Sequence, residues 1–195
     1  MQFPFALPHR VVLRFQAVMM AAMQNILGQW LYSIKHYLLM CLFLSSPERL
    51  PYSPWSLVLS GFVYFLLGML LVNAERSYLE VCAQILLELL MMGLIAWVML
   101  RWKQTLSRLL QTCSALLGIT VAFTALTIPI YRMATSNGAV ESGSFTYLIL
   151  GLQIWNLAVL SLIFKRSFEI STQLSAMIAF GYFVVYHIVF YWLFL

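Results

Sequence analysis

The chain has 195 residues, of which 63% are hydrophobic and 9% are charged. Soluble domains carry about 25% charged residues, so this composition excludes a water-soluble fold. A membrane-spanning helix takes about 20 residues, and we expect nearly the whole length to be used in crossing a bilayer. The net charge of +5 does not predict nucleic-acid binding, because the basic residues are spread over short loops.

The first predicted element is a leader at residues 1–22. Two arginines followed by a brief apolar patch resemble a signal peptide, but no small-x-small cleavage site follows, so we expect no cleavage. Methionines at positions 19, 20 and 23 leave open whether the leader is made.

Residues 23–54 are predicted to form an amphipathic interfacial helix and a proline-rich turn. Apolar residues recur at helical spacing at Leu27, Trp30, Leu31, Ile34 and Leu38. This stripe is typical of a helix lying on the inner leaflet, and a sixth span over residues 26–44 is the alternative. Three prolines, Pro47, Pro51 and Pro54, then predict an extended loop, because proline donates no backbone hydrogen bond.

Residues 55–195 contain five apolar stretches that are each long enough to cross a bilayer core. They cover residues 55–73, 77–100, 109–131, 144–164 and 174–195. The predicted fold is therefore an all-α bundle of five transmembrane helices preceded by an interfacial helix. Pro129 is expected to end the third span, and an external loop follows it.

The basic residues predict the orientation of this bundle. With the N-terminus in the cytoplasm, nine of the 11 lysines and arginines lie inside, namely Arg10, Arg14, Lys35, Arg49, Arg101, Lys103, Arg108, Lys165 and Arg166. Only Arg76 and Arg132 lie outside. This bias predicts a bacterial inner-membrane protein with an external C-terminus.

One segment carries a family resemblance. The Pro-Glu-x-Leu-Pro turn at residues 47–51, with a basic amphipathic lead and five closely spaced spans, resembles the small bacterial membrane proteins of the Yip1-like family. The acidic Asp-Leu-Tyr-Gly-Pro element of eukaryotic members is missing, and the chain contains no Asp. The resemblance implies a five-helix, non-enzymatic protein associated with membrane organisation, and it transfers no functional residues.

Polar residues inside the spans are the candidate functional residues, because an ionisable group in hydrocarbon normally faces protein or water. Glu80, Gln84 and Glu88 repeat every four residues along the second span. Polar residues of similar depth on the other spans are Tyr64, Thr120, Thr124, Gln153, Asn156 and His187. We predict one buried cluster, which serves either as a proton or substrate site or as interhelical hydrogen bonding that holds the bundle together.

A strip of small residues on the third span predicts close helix packing. Ser114, Gly118 and Ala122 recur every four residues, a spacing that lets another helix approach. The strip is interpreted as an intramolecular seam, with a homodimer contact as the alternative.

No metal, nucleotide or hydrolase motif is found, and His9, His36 and His187 provide no facing pair for haem. We therefore expect no cofactor and no catalysis, since a membrane enzyme would have to use only Glu80, Glu88 and His187. The predicted function is an accessory, assembly or membrane-organising role through contacts with lipid and with other membrane proteins or itself. The alternative is a small proton-linked transporter or channel subunit that uses Glu88.

Overall fold

A computed structural model describes the protein over residues 9–70, 77–136 and 143–194. The chain is all-helical over these ranges, with 90% of it in helix. Six α-helices follow one another as α1 (His9–Cys41), α2 (Pro54–Leu70), α3 (Tyr78–Trp102), α4 (Leu109–Ser136), α5 (Gly143–Phe168) and α6 (Thr172–Phe194). The predicted all-α class is confirmed.

Four of these helices, α3 to α6, are long and apolar enough to cross a membrane. Helix α2 is also apolar, and its 17 described residues measure about 26 Å against a hydrocarbon core of about 30 Å. Four helices are therefore candidate spans by length and composition, and the fifth span stays a prediction.

Helices α2 to α6 alternate in direction, so the bundle has two distinct ends. We call the end where α2, α4 and α6 begin the basic end, because the helix ends and loops there carry most of the basic residues. Arg108 ties these loops together through ion pairs to Glu169 at 2.7 Å and Glu48 at 3.5 Å. At the opposite end, Arg132 of α4 donates a 3.4 Å hydrogen bond to the carbonyl of Leu70 at the end of α2.

Helix α4 forms the centre of the bundle and packs against α1, α2, α3 and α5. Its middle turns are almost completely buried at Ala115, Leu116, Leu117 and Ile119. Large apolar side chains elsewhere face outward, as expected where the surrounding solvent is lipid.

Helix α1 differs from the prediction in its extent, and it packs one face on the bundle. It begins at His9, inside the predicted leader, and continues without a break to Cys41. Its buried positions include Ser33, His36, Tyr37, Met40 and Cys41, whereas the apolar stripe is exposed at its leucines, such as Leu31. The stripe thus faces the surroundings of the bundle, which fits its predicted place against lipid, and the packing of the opposite, partly polar side on the bundle was not predicted.

The end of α1 reaches into the bundle. Ser33 lies beside Ser56 in the first turn of α2, whereas the carbonyl of Cys41 accepts a 2.9 Å hydrogen bond from the Trp155 indole, halfway along α5. The chain then returns to the basic end, where Arg166 donates to the carbonyl of Ser45 at 3.2 Å. Non-helical backbone at membrane depth needs such protein partners, because lipid offers no hydrogen bonds.

Two further expectations need correction. Pro129 does not end its helix, since α4 continues to Ser136; proline is tolerated inside membrane helices, where neighbouring groups satisfy the freed backbone. The proline-rich loop is not wholly extended, because Pro47–Arg49 forms a 3-10 turn. Predictions about residues 1–8, Arg76, the loop at 137–142 and Leu195 lie outside the described residues.

Candidate functional site

A cavity of about 300 Å³ lies inside the bundle between α2, α3, α4 and α5. It extends from the middle of the bundle toward the end at which α2 stops and α3 begins. Its lining residues are Tyr64, Gly68, Val81, Gln84, Ile85, Glu88, Thr120, Phe123, Thr124, Thr127, Leu152, Gln153 and Asn156. A space of this size and polarity has room for several water molecules or one small solute.

Glu88 and Tyr64 form an interhelical contact at the inner end of this cavity, near the middle of the bundle. The Tyr64 hydroxyl on α2 donates a hydrogen bond to the Glu88 carboxyl on α3. Tyr64 is only 6% exposed, so its ring fixes where the phenol oxygen sits. A charged Glu88 turned toward lipid would cost about 2.5–3.5 kcal/mol on insertion scales, and its inward orientation avoids that cost.

The threonines of the cavity use their protons on their own helix. Thr120 donates to the carbonyl of Leu116 at 2.9 Å, and Thr127 donates to that of Phe123 at 2.8 Å. A hydroxyl has one proton, so both oxygens present only lone pairs to the cavity.

The α4 and α5 walls carry polar side chains without partners. Within the part of the chain that the structure describes, Thr124, Gln153 and Asn156 make no side-chain hydrogen bond to another residue, and all three are half-buried. Polar groups withdrawn from bulk water without partners are costly, which makes them binding groups for water or a solute.

The structure brings together most of the predicted polar cluster. Gln84, Glu88, Thr120, Gln153 and Asn156 all line the cavity, together with Tyr64 and Thr124. The lining residues that were not predicted are Thr127 and the apolar and glycine residues. Thr127 could have been predicted from the sequence, because it lies three residues after Thr124 on the same helix face.

Glu80 and His187 lie away from this lining. Glu80 is exposed in the first turn of α3. His187 is exposed on α6, and its Nδ1 lies 2.9 Å from the carbonyl of Phe183 on the same helix. The ring is within electrostatic range of Glu88 but supplies no hydrogen bond to it. Glu88 and His187 were grouped because they lie at similar depth, but two side chains at the same depth on different helices need not face each other.

The small-residue strip is covered by Tyr37 of α1. A Cβ atom on Gly118 would overlap the Tyr37 ring, so only glycine admits the ring at this point. The Tyr37 hydroxyl lies 2.7 Å from that of Ser114, and Ala122 packs against the core. The strip thus forms an intramolecular seam with α1 at Ser114 and Gly118. The sequence did not indicate that α1 is the helix that packs there.

A group of buried serines continues from this seam to the basic end. Ser56 donates to Ser33 at 2.9 Å, and Ser56 and Ser60 each lie 3.5 Å from the Tyr37 hydroxyl. Ser56, Ser60 and Tyr64 occupy successive turns of one face of α2. One polar face of α2 therefore connects the basic end to Glu88. The repeat of polar residues every four positions along α2 could have indicated this face from the sequence.

Among the described residues, no group of three or more His, Cys, Asp or Glu side chains could hold a metal ion. Comparison with protein-family models, curated proteins and solved structures found no match for this chain, so the Yip1-like resemblance stays a prediction.

Proposed function

We propose that this protein is a small, non-catalytic, proton-linked transporter or channel subunit that binds a polar solute beside Glu88. The observation that supports this proposal is the cavity itself, a polar space in a bundle whose other surfaces are largely apolar. Ionisable groups within membrane bundles commonly mark substrate and proton pathways.

The pattern of hydrogen bonds argues against a purely structural cluster. Polar side chains that hold membrane helices together bond across helices, each contributing about 0.6 kcal/mol on average. Here Thr120 and Thr127 bond their own helix, and Gln153 and Asn156 bond no other described residue. These groups contribute little to helix association and are free for a solute.

The proposal includes α2 as a fifth span. Its first turn contacts α1 near the basic end through Ser56, and its last residue, Leu70, is bonded to Arg132 at the other end. A helix that meets both ends of the bundle runs its full depth, as a membrane span does.

The proposed location is a bacterial inner membrane with the basic end in the cytoplasm and the C-terminus outside. Arg108 and Arg166 both anchor loops at the basic end, so positive charge is concentrated on one side. The positive-inside rule assigns that side to the cytoplasm.

The test uses purified protein in liposomes that contain a pH-sensitive dye. A proton gradient is imposed, and guanidinium chloride, urea, tetramethylammonium chloride or sodium nitrate is added outside. We expect at least one of these solutes to dissipate the gradient faster with the natural protein than with Glu88→Gln. Glu80→Gln is the matched control, because it removes an exposed carboxyl from the same helix.

Equal dissipation by the natural protein, Glu88→Gln and protein-free liposomes for every solute would refute the transport proposal. Circular dichroism and gel filtration establish that the variant is folded, so that lost flux reports on Glu88 alone.

An accessory role in assembly is the second candidate, and it is favoured by α6. This helix packs mainly against α5, and it leaves Tyr191, Trp192 and Leu193 exposed. Such an exposed helix end suits lipid or a helix of another membrane protein. Cross-linking from this end of α6 in intact membranes, with identification of the linked protein, tests that role, and lipid-only products would contradict it.

A further inference from the structure

Among the described residues, the charge of the cavity comes from one side chain. Glu88 is the only described lining residue with an acidic group, and none of the described lining residues is Lys, Arg or His. An ionised carboxylate in a low-dielectric interior needs compensation, because an isolated buried charge is very costly. Within this cavity the compensation is either a proton on the carboxyl or a bound cation.

Three hydroxyl oxygens of the cavity can act only as acceptors, whereas Thr124 and the amides of Gln153 and Asn156 can also donate. Tyr64 has committed its proton to Glu88, and Thr120 and Thr127 have committed theirs to backbone carbonyls. Each of these three oxygens can only accept a further bond. Gln153 and Asn156 add a carbonyl oxygen each, along with their amide protons. A solute with N–H donors and a positive charge satisfies the acceptor oxygens and the Glu88 carboxylate, whereas an anion would be repelled by that carboxylate.

Aromatic side chains complete the complementarity. Phe123 and Tyr64 line the same space. The faces of such rings attract organic cations at up to about 6 Å from the ring centre.

We infer that the solute is a small monovalent organic cation carrying N–H donors, of the ammonium or guanidinium type, and that it exchanges with a proton on Glu88. This inference rests on the proposed function and specifies its substrate. In the exchange, the Glu88 carboxyl releases its proton to water as the cation forms an ion pair with the resulting carboxylate. One positive charge leaves as one enters, so the net charge of the cavity is unchanged.

Other titratable groups near Glu88 do not take over this role. Tyr182 and His187, both on α6, lie within electrostatic range of the carboxyl, and Tyr186 on the same helix lies within range of Tyr64. None of the three lines the cavity, and no hydrogen bond joins Tyr182 or His187 to Glu88 among the described residues. His187→Gln should therefore preserve the exchange.

The inference is tested by calorimetry on the purified full-length protein in detergent. Guanidinium is compared with urea, its planar neutral counterpart, with nitrate, a planar anion, and with tetramethylammonium, a cation without N–H donors. Titration in buffers of different ionisation enthalpy counts the protons released on binding.

We expect guanidinium to bind at least tenfold more tightly than the other three solutes and, at a pH where Glu88 is protonated in the free protein, to release about one proton. Its affinity should fall about tenfold per pH unit once Glu88 is protonated in the free protein, since proton and cation compete. Glu88→Gln should weaken guanidinium binding by about tenfold or more, through loss of a charge-assisted hydrogen bond, while Glu80→Gln should not.

Two results would overturn the inference. Tighter binding of urea, nitrate or tetramethylammonium, or guanidinium binding without proton release, would refute the substrate class and leave the transport proposal standing. Failure of all four solutes to bind, together with no flux in liposomes, would refute both.

Discussion

Replacing Gly118 with alanine tests the seam between α1 and α4. The added Cβ overlaps the Tyr37 ring, which is 4% exposed and is held by its hydroxyl against Ser114. A pinned ring has little freedom to move aside, and overpacking of this kind typically costs about 1–3 kcal/mol.

An opposing effect must be subtracted. Alanine is favoured over glycine inside a helix by about 1 kcal/mol, so an uncrowded substitution should be neutral or slightly stabilising. Gly93→Ala provides this reference, because no atom lies within 4 Å of its added Cβ. The difference between the two variants isolates the overlap with Tyr37.

The assay is thermal unfolding in detergent, followed by circular dichroism. For a chain of this size, 1 kcal/mol corresponds to about 2–4 °C, so Gly118→Ala should melt about 2–12 °C below Gly93→Ala. In a Tyr37→Ala background, Gly118→Ala should no longer cause the destabilisation that comes from overlap with the ring. A double-mutant cycle measures this difference as a coupling energy between the two positions. Equal melting temperatures for the two alanine variants would refute the placement of α1 on this strip.

Three further substitutions extend the test to other contacts. Tyr37→Phe should destabilise the protein by about 1–3 kcal/mol in the same melting assay, because the buried hydroxyl of Ser114 loses its 2.7 Å partner; an unchanged melting temperature would contradict this hydrogen bond. Trp155→Phe should cost a similar amount, about 1–3 kcal/mol, since the carbonyl of Cys41 loses its indole donor, and a neutral effect would show that α1 does not enter the bundle there. Arg108→Gln should change stability by less than about 1 kcal/mol, because its ion pairs are exposed and weakened by salt; a larger loss would indicate a buried network instead.

Composition and apolar run length were sufficient to predict the all-helical class, because only membrane helices use such long apolar segments. The polar cluster could be predicted in part for a related reason. A residue such as Glu88 has few tolerable positions in a membrane bundle, so depth along the span indicated which helices it would meet.

The position of α1 could not be predicted in the same way. The apolar stripe was predicted to lie against lipid, but its spacing does not indicate that the opposite face, with Ser33 and Tyr37, packs on the bundle. The seam also depends on Gly118 accepting a ring from a distant segment, which local spacing does not specify. His187 shows a further limit of prediction from the sequence. Its position along the span fixes the depth of the side chain, whereas the rotation of the helix about its axis decides which way the side chain points.

The central claim, a polar solute-accessible cavity inside the bundle, is tested most directly by cysteine accessibility at two adjacent positions of α5. In a background lacking Cys41, Cys82 and Cys113, Gln153→Cys places a thiol in the cavity, while Ile154→Cys places one on the outer face, where Ile154 is 67% exposed. In native membranes, a small charged thiol reagent should modify the first thiol and leave the second unmodified, since a thiolate does not form in lipid. Modification at position 154 with no reaction at position 153 would contradict the cavity and the function proposed for it.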